Sequence, residues 1–195
     1  CDHFKIQWVQ APGEAEAFCS YMCSKEVFAA VLSEDSDIMT YKAPTFLFNY
    51  NITTGKCMEV HYVDILEGLA LTSEEFLDLC IMSGTDYNSN IPRVGSKTAY
   101  KYIITSGVIE KIKEIEGKTD GLNYERGREI FNTYDGKKDE MDKVKIGWSG
   151  CKHELDHPTV SRFLAVNNCV QLHQLMHDAY EQLTIKIEIV SQPHN

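Results

Sequence analysis

The chain has 195 residues, 43% of them hydrophobic and 25% charged, and a formal net charge of −10, which is enough apolar material for a good core and excludes a disordered polyelectrolyte. No apolar run approaches the length of a membrane-spanning helix and none reads as a signal peptide, so no membrane partner is expected. Seven cysteines, an odd number at irregular spacing, argue for reduced thiols in an intracellular compartment and against a disulfide framework.

In chain order, FKIQWV predicts a strand near residues 4 to 10. Pro12 and Gly13 then open a helix that carries Glu14 and Glu16 in its first turn, where the positive helix end favours acids. VFAAVLSED reads as a buried parallel strand over 27 to 33. Side chains two apart on a strand share a face, so Asp35 and Asp37 are expected to project together from its C-terminal end, where open α/β sheets place their sites. Further strands are expected at 45 to 49 and 57 to 62. SEEFLDLCIMSG predicts a helix over 73 to 83 with Gly84 as its C-cap. Asp86 follows, and an anion at that electrostatically unfavourable end calls for positive charge nearby. Helices are expected at 96 to 105, 107 to 115, 123 to 134, 158 to 165 and 168 to 183, the fourth of these opening on Pro158. The polar, mixed-charge stretch 134 to 148 reads as a loop. The fold class is α/β, a parallel-sheet layer over residues 1 to 72 followed by a helical region.

Three acidic phrases stand out: Glu14 and Glu16 in APGEAEA, Asp35 and Asp37 in VLSEDSD, and Asp86 in IMSGTDYNSNIP. Each borders an apolar run that belongs in a core. Taken singly, EAE is the start of a solvated helix and EDSD a surface turn; that reading does poorly on three such phrases at once. Carboxylates gathered at a core edge raise one another's pKa unless a counter-charge is present. A hard divalent cation such as Mg²⁺ is the usual one, since it takes oxygen ligands and keeps waters that a phosphate can displace. Charge also divides the chain. Residues 1 to 90 carry four Lys or Arg against fourteen Asp or Glu, whereas residues 91 to 195 carry fifteen of each. A basic stretch follows the acids: Arg93, Lys97, Lys101, Lys111 and Lys113 against the single acid Glu110. Gly95, Ser96 and Lys97 would present backbone N–H groups and a positive helix end to a phosphate.

QAPGEAEA, SEDSDIMTY and LDLCIMSGTDYNSNIPRVGSKTAYKYI, in that order and at these separations, resemble the flap endonuclease and XPG nuclease family over residues 5 to 105. A weaker echo runs through KIGW at 145 to 148 and the helices after Pro158. The resemblance implies a PIN-like nuclease core (residues 1 to 87), a helical region with a helix-hairpin-helix, or helix-three-turn-helix, DNA-binding motif (88 to 184) and a tail (185 to 195). It assigns Glu14 and Glu16 to one catalytic Mg²⁺ and Asp35, Asp37 and Asp86 to a second, with Mn²⁺ as a substitute. Arg93, Gly95, Ser96, Lys97 and Lys101 would hold duplex DNA, aided by K⁺ on hairpin carbonyls. Arg93 stands where glycine is common in the family and Ser96 where proline is. The implied activity is cleavage of branched or flapped double-stranded DNA in replication and repair, and the implied compartment is the nucleus.

Family members begin with a region bearing further metal-binding aspartates, a helical arch and basic residues, none of which precedes Cys1 in this sequence. A fragment, or the second half of a split nuclease with a separate N-terminal half as partner, is therefore the expectation. A catalytically incomplete remnant that keeps the DNA contacts is the alternative. VLSEDSDIMT also echoes a haloacid dehalogenase-like phosphotransferase strand, but Met39 occupies the place of threonine or valine and the flanking motifs fit the nuclease. His173 and His177, four apart on an expected helix, lack a third metal ligand, and Cys151, His153 and Cys169 fit no usual zinc spacing. The stripe from Phe163 to Leu183 reads as packing between two helices. The tail IEIVSQPHN has no recognisable sliding-clamp motif.

Overall fold

The computed structural model describes residues 8–146. The first positions of the strand expected at 4 to 10, the helices expected after Pro158, His173 and His177, the Cys151, His153 and Cys169 group and the tail all lie outside the described residues. Within them, Ala11–Val144 form one compact unit, and residues 8–10 and 145–146 carry no regular element.

Gly13, at φ +89°, turns the chain through a conformation that glycine tolerates into helix α1 (Ala15–Ser24). Its apolar face buries Ala17, Phe18, Tyr21 and Met22. The strand expected over 27 to 33 is reduced to β1 (Val31–Leu32). The reason is local: the N–H groups of Val27 and Phe28 both donate to the Met22 carbonyl at the end of α1, so these residues cannot extend. β1 pairs in parallel with β2 (Thr45–Asn51), Val31 opposite Phe46. β3 (Lys56–His61) runs antiparallel to β2, so the sheet is mixed, in the order β1-β2-β3. Cys23, Val31, Ile38, Ala43 and Phe46 form the core between sheet and helices. Two helices beside the sheet were not expected from the sequence. α2 (Asp37–Thr40) follows β1, and α3 (Tyr62–Leu69), which buries no residue completely, follows β3 directly.

α4 (Ser73–Ser83) has the bounds that its sequence signals imply. Thr72 and Glu75 form a capping box: Glu75 N–H donates to Thr72 Oγ1 at 3.2 Å and Thr72 N–H donates to Glu75 Oε2 at 2.8 Å, satisfying donors that a helix start leaves open. α5 (Ser96–Ser106) and α6 (Tyr124–Thr133) pack on α4. The approach of α6 depends on Gly127, where a Cβ would lie 3.1 Å from Ile81 Cδ1. The helix expected over 107 to 115 is instead two 3₁₀ turns, Ile109–Lys111 and Lys113–Ile115. Gly107, at φ +86°, ends α5, and the buried Ile109, Ile112 and Ile115 recur every three residues, which is the 3₁₀ period. The loop expected at 134 to 148 contains a short α7 (Lys138–Met141), anchored by the fully buried Met141.

One charged group lies inside this helical core. Asp78 on α4 is 1% exposed. Arg128 of α6 grips it with two donors, Nε to Oδ1 at 2.7 Å and Nη2 to Oδ2 at 2.6 Å, and Ile109 N–H adds a third at 3.0 Å. The outer side of the guanidinium meets Glu110 at 2.6 and 2.9 Å.

Candidate metal centre and nucleic-acid interface

The five acids come from three separate segments. Glu16 lies in the first turn of α1, as the sequence implied, whereas Glu14 sits one place earlier, as its N-cap. Asp35 and Asp37 do meet, but not by strand alternation. β1 ends at Leu32, and Asp37 is already the first residue of α2. A turn joins them instead: Asp37 N–H donates to Asp35 Oδ1 at 2.9 Å, and Asp35 N–H to Ser33 Oγ at 3.0 Å.

Burial, and after it the charges of Asp35, Asp86 and Glu16, push the Asp37 carboxyl up to about 6, so all three segments act on one carboxylate. Among the described residues none of the five lies within ion-pair distance of a Lys or Arg, and the positive partner expected beside Asp86 is not found there. Nor do any three His, Cys, Asp or Glu groups among the described residues close into a ready cage for an ion. The donor set is nonetheless all hard carboxylate oxygen, the chemistry that suits Mg²⁺ or Mn²⁺.

An uncompensated carboxylate has a measurable signature. The folded-state pKa of Asp37 lies above its unfolded value, so folding takes up a proton and stability falls as pH rises from about 4 to 6. Without divalent ions, Asp37→Asn is therefore expected to stabilise the protein at pH 7.5 by about 1 kcal/mol, after allowing for the group's partial exposure. Thermal melts at pH 7.5 and pH 4 check this: the gain should vanish at the lower pH.

Asp86 is held by a loop tied back to α4. Gly84 is the C-cap at φ +116°, and a Cβ there would lie 2.7 Å from Asn90 Nδ2. Asn88 Nδ2 donates to the Ile81 carbonyl and Asn90 Nδ2 to the Ser83 carbonyl, each at 3.0 Å, satisfying acceptors that the end of a helix leaves open. Thr85 Oγ1 donates to Asn88 Oδ1 at 2.5 Å.

The same loop leads into the basic stretch. Arg93, Gly95, Ser96, Lys97 and Lys101 are all exposed. Arg93 takes φ +68°, the left-handed conformation that favours glycine, so the backbone keeps a glycine-like path with a charged side chain on it. Gly95 is the N-cap of α5 and no side chain caps that helix start; the Thr98 N–H turns back to the Gly95 carbonyl, which leaves the N–H groups of Ser96 and Lys97 for other acceptors. A cavity of about 400 Å³ is lined by Asp37 and Cys80 and also by Ser96, Lys97 and Tyr100.

Two residues absent from the sequence reading border the acids. Tyr41 and Tyr87 hydroxyls lie 3.1 Å apart. Burial first, and the negative charges of Glu14 and Asp37 among the further causes, push both phenols up. The signal for Tyr87 was its place beside Asp86 and for Tyr41 its place four residues after Asp37; their pairing across 46 residues had none.

The XPG I-region family model matches residues 5–86. Flap endonuclease 1 of Enterocytozoon bieneusi is 38% identical over 131 residues, covering 66% of this chain and 37% of that protein. Among solved structures, flap endonuclease-1 from Methanococcus jannaschii superposes with a TM-score of 0.57 at 27% identity, over 75% of this chain and 50% of that one. Human GEN1 in complex with Holliday junction DNA gives a TM-score of 0.54 at 23% identity, over 84% and 44% of the two chains, a likeness of fold alone. The chain thus spans well under half the length of that curated relative.

Proposed function

Because the chain belongs to the flap endonuclease and XPG nuclease family, we propose that it is the part of a metal-dependent, structure-specific DNA endonuclease that carries metal-binding acids and a duplex grip. The reaction is hydrolysis of a phosphodiester near a 5′ flap, in DNA replication and repair. One observation carries this reading: the wall of a single cavity holds Asp37, the carboxylate on which the other acid segments act, and also Ser96 and Lys97 at the start of α5. Residues that would hold a hard cation and residues that would hold a phosphate therefore line one cavity.

Glu14 and Glu16 would hold one Mg²⁺ or Mn²⁺, and Asp35, Asp37 and Asp86 a second. Bound ions would lower the pKa of an attacking water and offset charge on the leaving oxygen. The chain's own residues do the rest. The turn from Ser33 to Asp37 fixes the aspartate pair, and the tie of Asn88 and Asn90 to α4 fixes the loop of Asp86. The first-turn N–H groups of α5, with Lys97 and Lys101, dock the duplex backbone as a helix-hairpin-helix, and K⁺ on the adjoining carbonyls would strengthen that contact. The proposed division is a nuclease core over residues 1 to 87, a DNA-binding region over 88 to 184 and a tail, and the proposed compartment is the nucleus. Among the described residues no helix is long and apolar enough to cross a membrane.

A second reading, a DNA-binding remnant without chemistry, draws on the absence of a closed three-acid cage among the described residues. One experiment separates the two. The full chain is given an end-labelled 5′-flap duplex with Mg²⁺ or with EDTA, and binding and cleavage are both measured. Cleavage at the junction that EDTA abolishes supports the nuclease. Flap-selective binding without cleavage supports the remnant, and no preference for the flap over a blunt duplex sinks both.

A further inference from the structure

Tyr100 on α5 makes a bond that packing alone does not require. Its hydroxyl donates to the Leu69 carbonyl at 3.0 Å, across 31 residues of sequence. Leu69 is the last residue of α3, and the chain turns away after it through Ala70 at φ +53°. Carbonyls in the last turn of a helix lack partners within it. Those of Glu67 and Leu66 are met locally, by the N–H groups of Ala70 and Leu71, whereas that of Leu69 is met by α5. α3 is in turn rooted in the sheet. It follows β3 without a break, and Tyr62 N–H at its start donates to the Pro44 carbonyl, just before β2, at 3.0 Å. β2 pairs with β1, and the chain beyond β1 bears Asp35 and Asp37. One phenol thus links the helix that would grip the duplex to the frame that holds the aspartate pair. Among the described residues it is the only side-chain hydrogen bond from α5 to any residue before α4; Thr105 Oγ1, by contrast, donates inside α5, to the Lys101 carbonyl at 2.8 Å. The packing of α5 on α4 is no substitute, because apolar contact is non-directional and a hydrogen bond fixes both distance and angle. The Tyr100 ring also lines the cavity shared by Asp37 and Lys97.

We infer that Tyr100 is a positioning residue: its bond to Leu69 fixes α5 against the sheet, and so sets which phosphate of a gripped duplex lies at the aspartate pair. This rests on the nuclease reading proposed above. The demand on such a bond is strict, since a misplacement of about 1 Å caused far from the chemistry can cost on the order of a hundredfold in rate.

The test maps where a bound ion stands on the DNA and needs no hydrolysis. The full chain is loaded with Fe²⁺ on an end-labelled 5′-flap duplex, and peroxide with ascorbate generates hydroxyl radicals that nick the strand beside the ion. Wild type, Tyr100→Phe, Thr105→Ala and a Glu16→Gln, Asp37→Asn double variant are compared, with flap affinity and melting temperature alongside. Tyr100→Phe should spread the nicks over neighbouring nucleotides, while flap affinity stays within about twofold of wild type because the phosphate contacts are kept. Thr105→Ala, which loses a hydroxyl bonded only inside α5, should leave the nicks where wild type puts them. Unmoved nicks in Tyr100→Phe, an equal spread in Thr105→Ala, or a spread that comes with a fall in both melting temperature and affinity overturns the inference and leaves the nuclease reading standing. Nicks that are absent in wild type, or undiminished in the double variant, overturn both.

Discussion

Arg128→Ala is expected to cost about 3–5 kcal/mol of folding stability, the usual penalty for removing one partner of a buried ion pair. The carboxylate it would strand, Asp78, is 1% exposed and would keep only the Ile109 N–H in place of a guanidinium with two contacts below 2.8 Å. The loss would be felt widely, because this one cluster joins α4, the 3₁₀ turn at Ile109 and α6. Glu110→Gln should cost far less, since Glu110 is largely solvated and exposed pairs contribute little. Replacing Asp78 and Arg128 together by Leu and Met should recover most of the loss, because a pair removed as a unit leaves no unpaired charge. Urea denaturation of the three variants checks the order. A loss below about 1 kcal/mol for Arg128→Ala would contradict the burial on which the argument stands.

The second large effect concerns chemistry. In a preparation that cleaves a flap duplex, Asp37→Asn should reduce the rate on the order of a thousandfold, equivalent to about 4 kcal/mol of barrier, with flap binding changed little. Lys97→Ala should do the converse: weaker binding, and a salt dependence of affinity shallower by about one. The Asp37 variant makes the sharper case, because it is also expected to stabilise the metal-free protein. A substitution that raises stability while abolishing turnover marks a group kept for function against its folding cost. Single-turnover cleavage and equilibrium binding, measured on the same two variants, would expose the error if both fell together.

What could be read from the sequence follows physical range. α4 carried its own boundary signals, Thr72 with Glu75 at one end and Gly84 at the other, and the structure uses each of them. α1 likewise begins where Pro12 and Gly13 place it. β1 was overestimated because its propensity ignores the Met22 carbonyl that captures Val27 and Phe28. Asp35 and Asp37 were correctly paired for the wrong reason, since a side-chain turn and not the strand pleat joins them. The Asp78 and Arg128 pair, 50 residues apart, had one local clue, a lone acid in the apolar run FLDLCIM. A partner for it could not be chosen among nineteen Lys and Arg without the packing of α6 on α4.

The loop from Gly84 to Asn90 is bonded back to the last turn of α4, and α5 packs along the same helix. Asp86 and the start of α5 therefore share one stiff root. On the proposed function such a root would act as a ruler on a bound duplex, setting how many nucleotides lie between the gripped phosphate and the cut one. The position of the cut would then be counted from the junction by the protein frame, whatever the bases in between.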